Sequence, residues 1–140
     1  MIAAARHRRG ILDTSTLILL SRMENAAFLP EEPLITVITL AELTVGPLVA
    51  RSDEERATRQ AHLQQAEADF EPLVFDASAA RAFGQVAASL RRSGRKTTAR
   101  SYGAMIAAIA IANELPLYTC NPADFAGIAR LNVVTVPMPP

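Results

Sequence analysis

The feature that most constrains the fold is the alternation of short apolar, often β-branched runs with longer helix-like segments. The strand-like runs cover residues 10–13, 34–37, 72–75, 117–119 and 133–136. The helix-like segments cover residues 14–23, 39–46, 53–70, 77–92, 101–113 and 122–129. Strands that alternate with helices are typical of a parallel sheet with right-handed crossovers. We therefore predict a single α/β domain over residues 1–140, with a central parallel sheet of about five strands flanked by helices.

Composition and charge narrow the class of protein. The chain has 14 Lys and Arg residues against 14 Asp and Glu residues, and this balance argues against a protein that coats polyanions over its whole surface. The one cysteine, Cys120, excludes an internal disulfide and a Cys-rich zinc site. No stretch approaches the length of a membrane span. We expect a soluble, cytoplasmic protein with no membrane partner.

Three acidic residues lie where a strand-like run gives way to a helix. Asp13 ends the first run, Glu42 lies in the first turns of the helix after the second, and Asp124 follows the fourth. The carboxyl ends of parallel strands open on one edge of the sheet, where ligands collect. Clustered carboxylates repel one another unless a cation lies among them, and oxygen ligands without His or Cys favour Mg²⁺ or Mn²⁺. Such a cluster typically activates water during phosphodiester cleavage.

Each acid also has a purely structural explanation. Asp13 could cap the helix that follows it, and Glu42 could complement a helix dipole. Asp124, which comes after Asn121-Pro122, could be a turn residue. The occurrence of all three acids at strand–helix junctions favours the functional interpretation.

Four segments resemble the signatures of PIN-domain proteins, and the size and spacing resemble the VapC toxins of bacterial toxin–antitoxin pairs. The segments occur in the family's order and span nearly the whole chain. They are Ile11-Leu12-Asp13-Thr14-Ser15, Thr39-x-x-Glu42-Leu43, Met105-Ile106-Ala107-Ala108 and Thr119-x-Asn121-x-x-Asp124-Phe125.

The resemblance implies an endoribonuclease that depends on Mg²⁺ or Mn²⁺ and forms a homodimer. It also implies a cognate VapB-like antitoxin whose C-terminal segment enters the active site, and an RNA substrate, with tRNA and rRNA as candidates. Asp13, Glu42 and Asp124 would be the catalytic, metal-binding residues, with one or two metals left open. The supporting polar residues beside them are Thr14, Ser15, Thr119 and Asn121.

One position departs from the family pattern. The family has Asp-Ala-x-Ile-Ala-Ala at the fifth helix, whereas this chain has Gly103 at the position of that Asp, which would be a further metal-site acid. No Asp or Glu occurs between residues 77 and 113. We predict that cleavage is impaired or lost. Two explanations stay open: an inactivating substitution, selected or engineered because the active protein is toxic, or a natural non-catalytic PIN-like module that binds an antitoxin or RNA.

A basic stretch precedes this helix. Phosphate contacts by Arg95, Lys96 and Arg100 would give sequence-independent affinity for RNA. Alternatively, Arg91 and Arg92 complement the end of the preceding helix, or the arginines pair with acidic residues of an antitoxin. The five cations between residues 91 and 100 are Arg91, Arg92, Arg95, Lys96 and Arg100.

A phosphoacceptor receiver domain is a third class that places acids at strand ends. It would need a lysine after a late strand. The only lysine is Lys96, which lies in the basic stretch, so the sequence argues against this class.

Overall fold

The computed structural model describes residues 6–96 and 100–140, and its centre is a parallel sheet. The sheet has four strands in the described residues, in the order β2-β1-β3-β4, and each neighbouring pair is parallel. Because the chain leaves β1 for one side of the sheet and returns to β3 on the other, the crevice beyond β1 and β3 is a topological switch point. The strands are β1 (Arg9–Leu12), β2 (Glu32–Leu34), β3 (Leu117–Thr119) and β4 (Val133–Thr135).

Helices flank the sheet, and several begin at a polar cap that the sequence provides. The side chains of Thr36, Ser52 and Asp76 each accept a hydrogen bond from a backbone N–H in the first turn of the next helix. The helices are α1 (Thr14–Leu19), α2 (Val37–Leu48), α3 (Asp53–Asp69), α4 (Ala77–Arg92) and α5 (Ser101–Ala112). Shorter 3-10 segments cover Leu20–Arg22, Ala26–Phe28 and Pro122–Phe125.

The main core lies between the sheet, α4 and α5. Helix α5 is apolar on nearly all sides, and a helix of this kind must be covered by other elements. Its Ile106 and Ile109 pack in one cluster with Ile11 of β1 and Leu117 of β3. This packing fixes the start of α5 relative to the carboxyl ends of the two central strands.

The second and third predicted strands differ from the structure. Strand β2 ends at Leu34, and Val37 already begins α2, because Thr36 caps that helix through the backbone N–H of Thr39 at 3.3 Å. The run 72–75 forms only one parallel bridge, between Leu73 and Thr36, so the described sheet has four strands instead of about five. The pairing does not continue because the partner chain enters α2 at Val37.

Helix ends also differ from the prediction. The first predicted helix, 14–23, divides into α1 and the 3-10 segment Leu20–Arg22. The second begins at Val37 and continues through Gly46-Pro47 to Leu48. The helix predicted over 122–129 is the 3-10 segment Pro122–Phe125, since the chain leaves helical geometry at Ala126 and Gly127 has φ +82°. Within residues 6–96 and 100–140, no helix is long and apolar enough to cross a membrane.

Candidate active site

Asp13 is held rigidly between β1 and α1. It caps α1, since its Oδ1 accepts a hydrogen bond from the backbone N–H of Thr16 at 3.1 Å. Its Oδ2 accepts a hydrogen bond from the hydroxyl of Thr119 at 2.7 Å, and the residue is only 6% exposed. Asp13 is therefore both a helix cap and a residue of the candidate site. One of its carboxylate oxygens caps α1, and the other faces the end of β3.

Glu42 lies beyond the first turn of α2, where a helix dipole has little influence. The hydroxyl of Thr14 donates a hydrogen bond to Glu42 Oε1 at 2.7 Å. The hydroxyls of Thr14 and Thr39 lie 2.9 Å apart, and Thr39 is the donor because the Thr14 proton is directed to Glu42. Burial raises the pKa of Glu42, the Thr14 hydrogen bond opposes this, and the negative charge of Asp13 adds to it. The negative charges of Asp13 and Glu42 therefore interact.

Asp124 lies in the 3-10 segment directly after β3 and faces a cation. Its Oδ1 accepts a hydrogen bond from Arg100 Nη1 at 3.1 Å. The Asp124 side chain is 57% exposed and that of Arg100 is 38% exposed. This ion pair is thus open to exchange with ligands from solvent.

One cleft joins these groups. It has a volume of about 570 Å³ and lies beyond the carboxyl ends of β1 and β3, as the topology predicts. Asp13, Glu42 and Asp124 line it, together with residues 14–15 and 100–103. Ile106 and Phe125 provide the apolar part of its wall.

The predicted supporting residues form a hydrogen-bond network around Asp13. The Asn121 side chain donates to the hydroxyl of Ser15 at 3.1 Å, and this hydroxyl donates to Asp13 Oδ2 at 3.4 Å. The hydroxyl oxygen of Thr119 accepts the backbone N–H of Asn121 at 2.9 Å. Thr119 therefore orients both the acid and the chain that leads to Asp124.

Gly103 lies in the first turn of α5, on the wall of the cleft. A Cβ atom at this position would lie 3.5 Å from Cε1 of Phe125, an ordinary van der Waals contact. Neither space nor backbone conformation demands glycine here, because Gly103 is not among the glycines with positive φ. A Cβ atom can therefore be accommodated at this position, beside the cleft.

The basic stretch approaches the cleft at one of its ends. Arg100 lines the cleft, whereas the Arg95 guanidinium donates to the carbonyl oxygen of Ala123 at 2.7 Å and Lys96 is exposed. Arg91 and Arg92 occupy the last turn of α4, which agrees with the helix-end explanation for these two. The part of the stretch between Lys96 and Arg100 lies outside the described residues.

Comparison with known proteins identifies the family. The model of the PIN domain family matches residues 10–131. The chain belongs to the PIN-domain family. This PIN domain is 39% identical over 132 residues to Ribonuclease VapC5 of Mycobacterium tuberculosis, covering 91% of this chain and 95% of the relative. It is 30% identical over 131 residues to Ribonuclease VapC4 of the same organism, covering 92% of this chain and 98% of the relative.

A solved structure agrees with this assignment. A chain in the crystal structure of VapBC-5 from Mycobacterium tuberculosis, a member of the VapBC family of toxin–antitoxin systems, superposes with a TM-score of 0.77. The two chains are 35% identical, and the match covers 92% of this chain and 99% of that one. The α/β fold and the PIN family that the sequence predicted are confirmed.

The PIN domain has donors of the type that a hard divalent cation uses. Two carboxylates, Asp13 and Glu42, interact electrostatically, and Thr14 donates a hydrogen bond to Glu42. In the described part of the chain, no three His, Cys, Asp or Glu side chains group closely enough to hold one ion. Asp13, Glu42 and Asp124 nevertheless offer oxygen donors of the type that such a cation prefers, and Gly103 lies on the wall of the same cleft.

Sequence reasoning missed two residues that line the cleft, Ser101 and Tyr102. Tyr102, which is 53% exposed, lines the cleft beside Arg100. An aromatic side chain next to Gly103 in the first turn of α5 was the available signal.

Proposed function

We propose that this PIN domain is the toxin of a VapBC-type pair, built as an endoribonuclease that uses Mg²⁺ or Mn²⁺. One observation carries the proposal: Asp13, Glu42 and Asp124, which are far apart in sequence, line one cleft at the switch point of the sheet. Two relatives at 39% and 30% identity are named ribonucleases, which supports the same reaction here. The substrate would be an RNA, whose phosphates the cleft would receive.

The residues of the cleft would have different roles in binding the cation. Asp13 and Glu42 would hold the cation, and Asp124 would become a further ligand once the three carboxylates draw closer around it. Thr14 and Thr119 fix the two inner carboxylates through hydrogen bonds of 2.7 Å. Ser15 and Asn121 brace Asp13 from the solvent side. When bound, a divalent cation would neutralise the scissile phosphate and activate water.

Gly103 is the reason to expect impaired cleavage. It removes one carboxylate from a cleft whose remaining acids include one, Asp124, that is already paired with Arg100. That same observation favours a second candidate function, a non-catalytic PIN-like module that binds an antitoxin or RNA. The two candidates differ in what a restored carboxylate would do.

Partner proteins are part of the proposal. The similar structure belongs to a VapBC system, which supports a VapB-like antitoxin for this chain. We also propose a homodimer, and the exposed apolar side chains of Val45, Leu48 and Val49 offer surface for such contacts. Sedimentation of the chain alone and after mixing with a cognate antitoxin tests both partners.

RNA cleavage tests the function. With Mg²⁺ or Mn²⁺, we expect a Gly103→Asp variant to cleave RNA faster than this chain by on the order of a hundredfold or more, as for other charge-stabilising groups. Gly103→Asn matches its size without the charge and should not restore cleavage. Adding Asp13→Asn to the Asp variant should abolish it.

The outcomes separate the candidates. Cleavage by the Asp variant alone establishes a ribonuclease disabled at position 103. Failure of every folded variant to cleave tRNA or rRNA would favour the binding module. Full activity of the chain as it stands would mean that the missing acid lies elsewhere.

A further inference from the structure

Two arginines of the basic stretch are tied to the same short segment. The Arg95 guanidinium donates to the carbonyl oxygen of Ala123 at 2.7 Å, and the Arg100 guanidinium donates to the carboxylate of Asp124 at 3.1 Å. The acceptors differ in charge. Arg95 bonds a neutral carbonyl, whereas Arg100 neutralises an acid that lines the cleft.

The position of Arg100 makes it a competitor for any cation that would use Asp124. A guanidinium and a divalent ion on one carboxylate repel each other, because like charges a few ångströms apart disfavour one another. A partly exposed ion pair contributes little to stability and can therefore be displaced. Displacement leaves the guanidinium at the rim of the same cleft, where it has lost its carboxylate partner.

We propose that Arg100 is an internal counter-ion that exchanges partners: it holds Asp124 in the metal-free protein and passes to an RNA phosphate when a divalent cation takes Asp124. The inference rests on the proposed function and adds a coupling between its two ligands. Arginine suits both partners, since its planar fork matches carboxylate and phosphate equally well. Metal and RNA then each strengthen the binding of the other, as thermodynamic linkage requires.

A Mn²⁺ titration tests the first half of the exchange. Free Mn²⁺ is measured by electron paramagnetic resonance for this chain, Arg100→Gln and Arg95→Gln. We expect Arg100→Gln to bind Mn²⁺ roughly two- to fivefold more tightly, the range of an exposed ion pair. Arg95→Gln removes the same charge from the same stretch but leaves the Asp124 pair intact, so it should change the affinity less.

An Asp124→Asn background completes the test as a double-mutant cycle. With the carboxylate gone, Arg100→Gln should no longer alter Mn²⁺ affinity beyond the change given by Arg95→Gln. Equal effects of the two arginine substitutions, or an Arg100 effect that persists in the Asp124→Asn background, would overturn the proposal.

RNA binding tests the second half. The affinity of a fluorescein-labelled single-stranded oligoribonucleotide is measured against salt concentration, with and without Mn²⁺, and a gel checks that the RNA stays intact. With Mn²⁺, Arg100→Gln should lower the salt slope by about 0.7, the value of one phosphate contact on a single strand. Without Mn²⁺, this chain and its Arg100→Gln variant should show the same dependence of RNA affinity on salt concentration. A slope difference that does not depend on Mn²⁺ contradicts the exchange.

The two proposals fail in different ways. Mn²⁺ binding by neither this chain nor its Gly103→Asp variant overturns the metal-dependent function and the exchange together. Mn²⁺ binding and RNA cleavage by the Asp variant, without an Arg100-specific effect, leave the function standing and overturn only the exchange.

Discussion

At the scale of single residues, the hydroxyl of Thr14 holds one of the two inner acids, Glu42. It donates to Glu42 at 2.7 Å, and it directly follows Asp13, whose charge adds to the raised pKa of Glu42. Two negative groups are thereby kept close together inside a partly buried cleft. The repulsion between these two carboxylates is unfavourable in the protein alone, and a bound cation would relieve it.

The raised pKa of Glu42 predicts a stability difference that depends on pH. The folded protein binds the Glu42 proton more tightly than the unfolded chain does, so ionised Glu42 lowers stability above its folded pKa. This penalty fades as the pH falls toward the ordinary value of 4.5. Glu42→Gln keeps an oxygen acceptor for Thr14, and we expect it to be more stable than the parent at pH 7 but not near pH 4.

Urea unfolding at both pH values checks this prediction. Glu67→Gln, on an exposed part of α3, serves as the control and should change stability by less than about 0.5 kcal/mol at either pH. An advantage of Glu42→Gln that is equally large at pH 4 and pH 7 would show that charge is not its cause.

At the scale of elements, the close approach of β1 and β3 positions the cleft. Gly10 of β1 lies against Tyr118 of β3, and a Cβ atom on Gly10 would fall 2.5 Å from Cε1 of that ring. The absence of a side chain lets the ring pack over the strand. Asp13 and Thr119, at the ends of these two strands, are thereby brought within hydrogen-bonding distance.

Gly10→Ala should therefore destabilise the protein by about 1–3 kcal/mol, the usual result of overpacking a core. Gly84→Ala is the matched substitution, since nothing lies within 4 Å of a Cβ atom at that position of α4. It should stabilise the helix by about 0.5–1 kcal/mol. Thermal or urea unfolding measures the stability of both variants. Equal changes in stability in the same direction would contradict the prediction.

At the scale of the whole molecule, the fold gathers residues 13, 42, 103 and 124 into one cleft. The unfolded chain has no such site, so a divalent cation should bind only the folded protein and stabilise it. The residue at position 103 determines how strongly the cation stabilises the folded protein, because an aspartate there would add another carboxylate to the cleft.

Thermal melts of Gly103→Asp and Gly103→Asn should reverse their order when Mn²⁺ is added. With a chelator, the Asp variant should melt lower, since repulsion from nearby carboxylates exceeds the ~0.3–1 kcal/mol that an acid gains at a helix N-terminus. At about 100 times its Kd, Mn²⁺ should add about 2.7 kcal/mol to the Asp variant. An Asp variant that melts higher even without metal would show that repulsion is absent.

Local signals explain what could be predicted from the sequence. The parallel α/β class, the order of elements and the cap at Asp13 follow from hydrophobic periodicity and from residue types that act on the next few backbone groups. The strand predicted at 72–75 was wrong except for the bridge at Leu73, because the apolar pattern there does not reveal whether a partner strand is within reach. The positions of the acids at strand–helix junctions, together with the family signatures, supplied the candidate acids of the site.

What the sequence by itself determined is therefore the succession of elements, the family and the identity of the polar groups at the strand ends. Only the tertiary structure decided how those groups meet. Three features depend on elements that are distant in the chain. They are the pairing of Arg100 with Asp124, the hydrogen bond from Thr14 to Glu42, and the contact that a side chain at position 103 would make with Phe125. Such contacts depend on how helices dock on the sheet, and packing of this kind has no local signature in the order of residues.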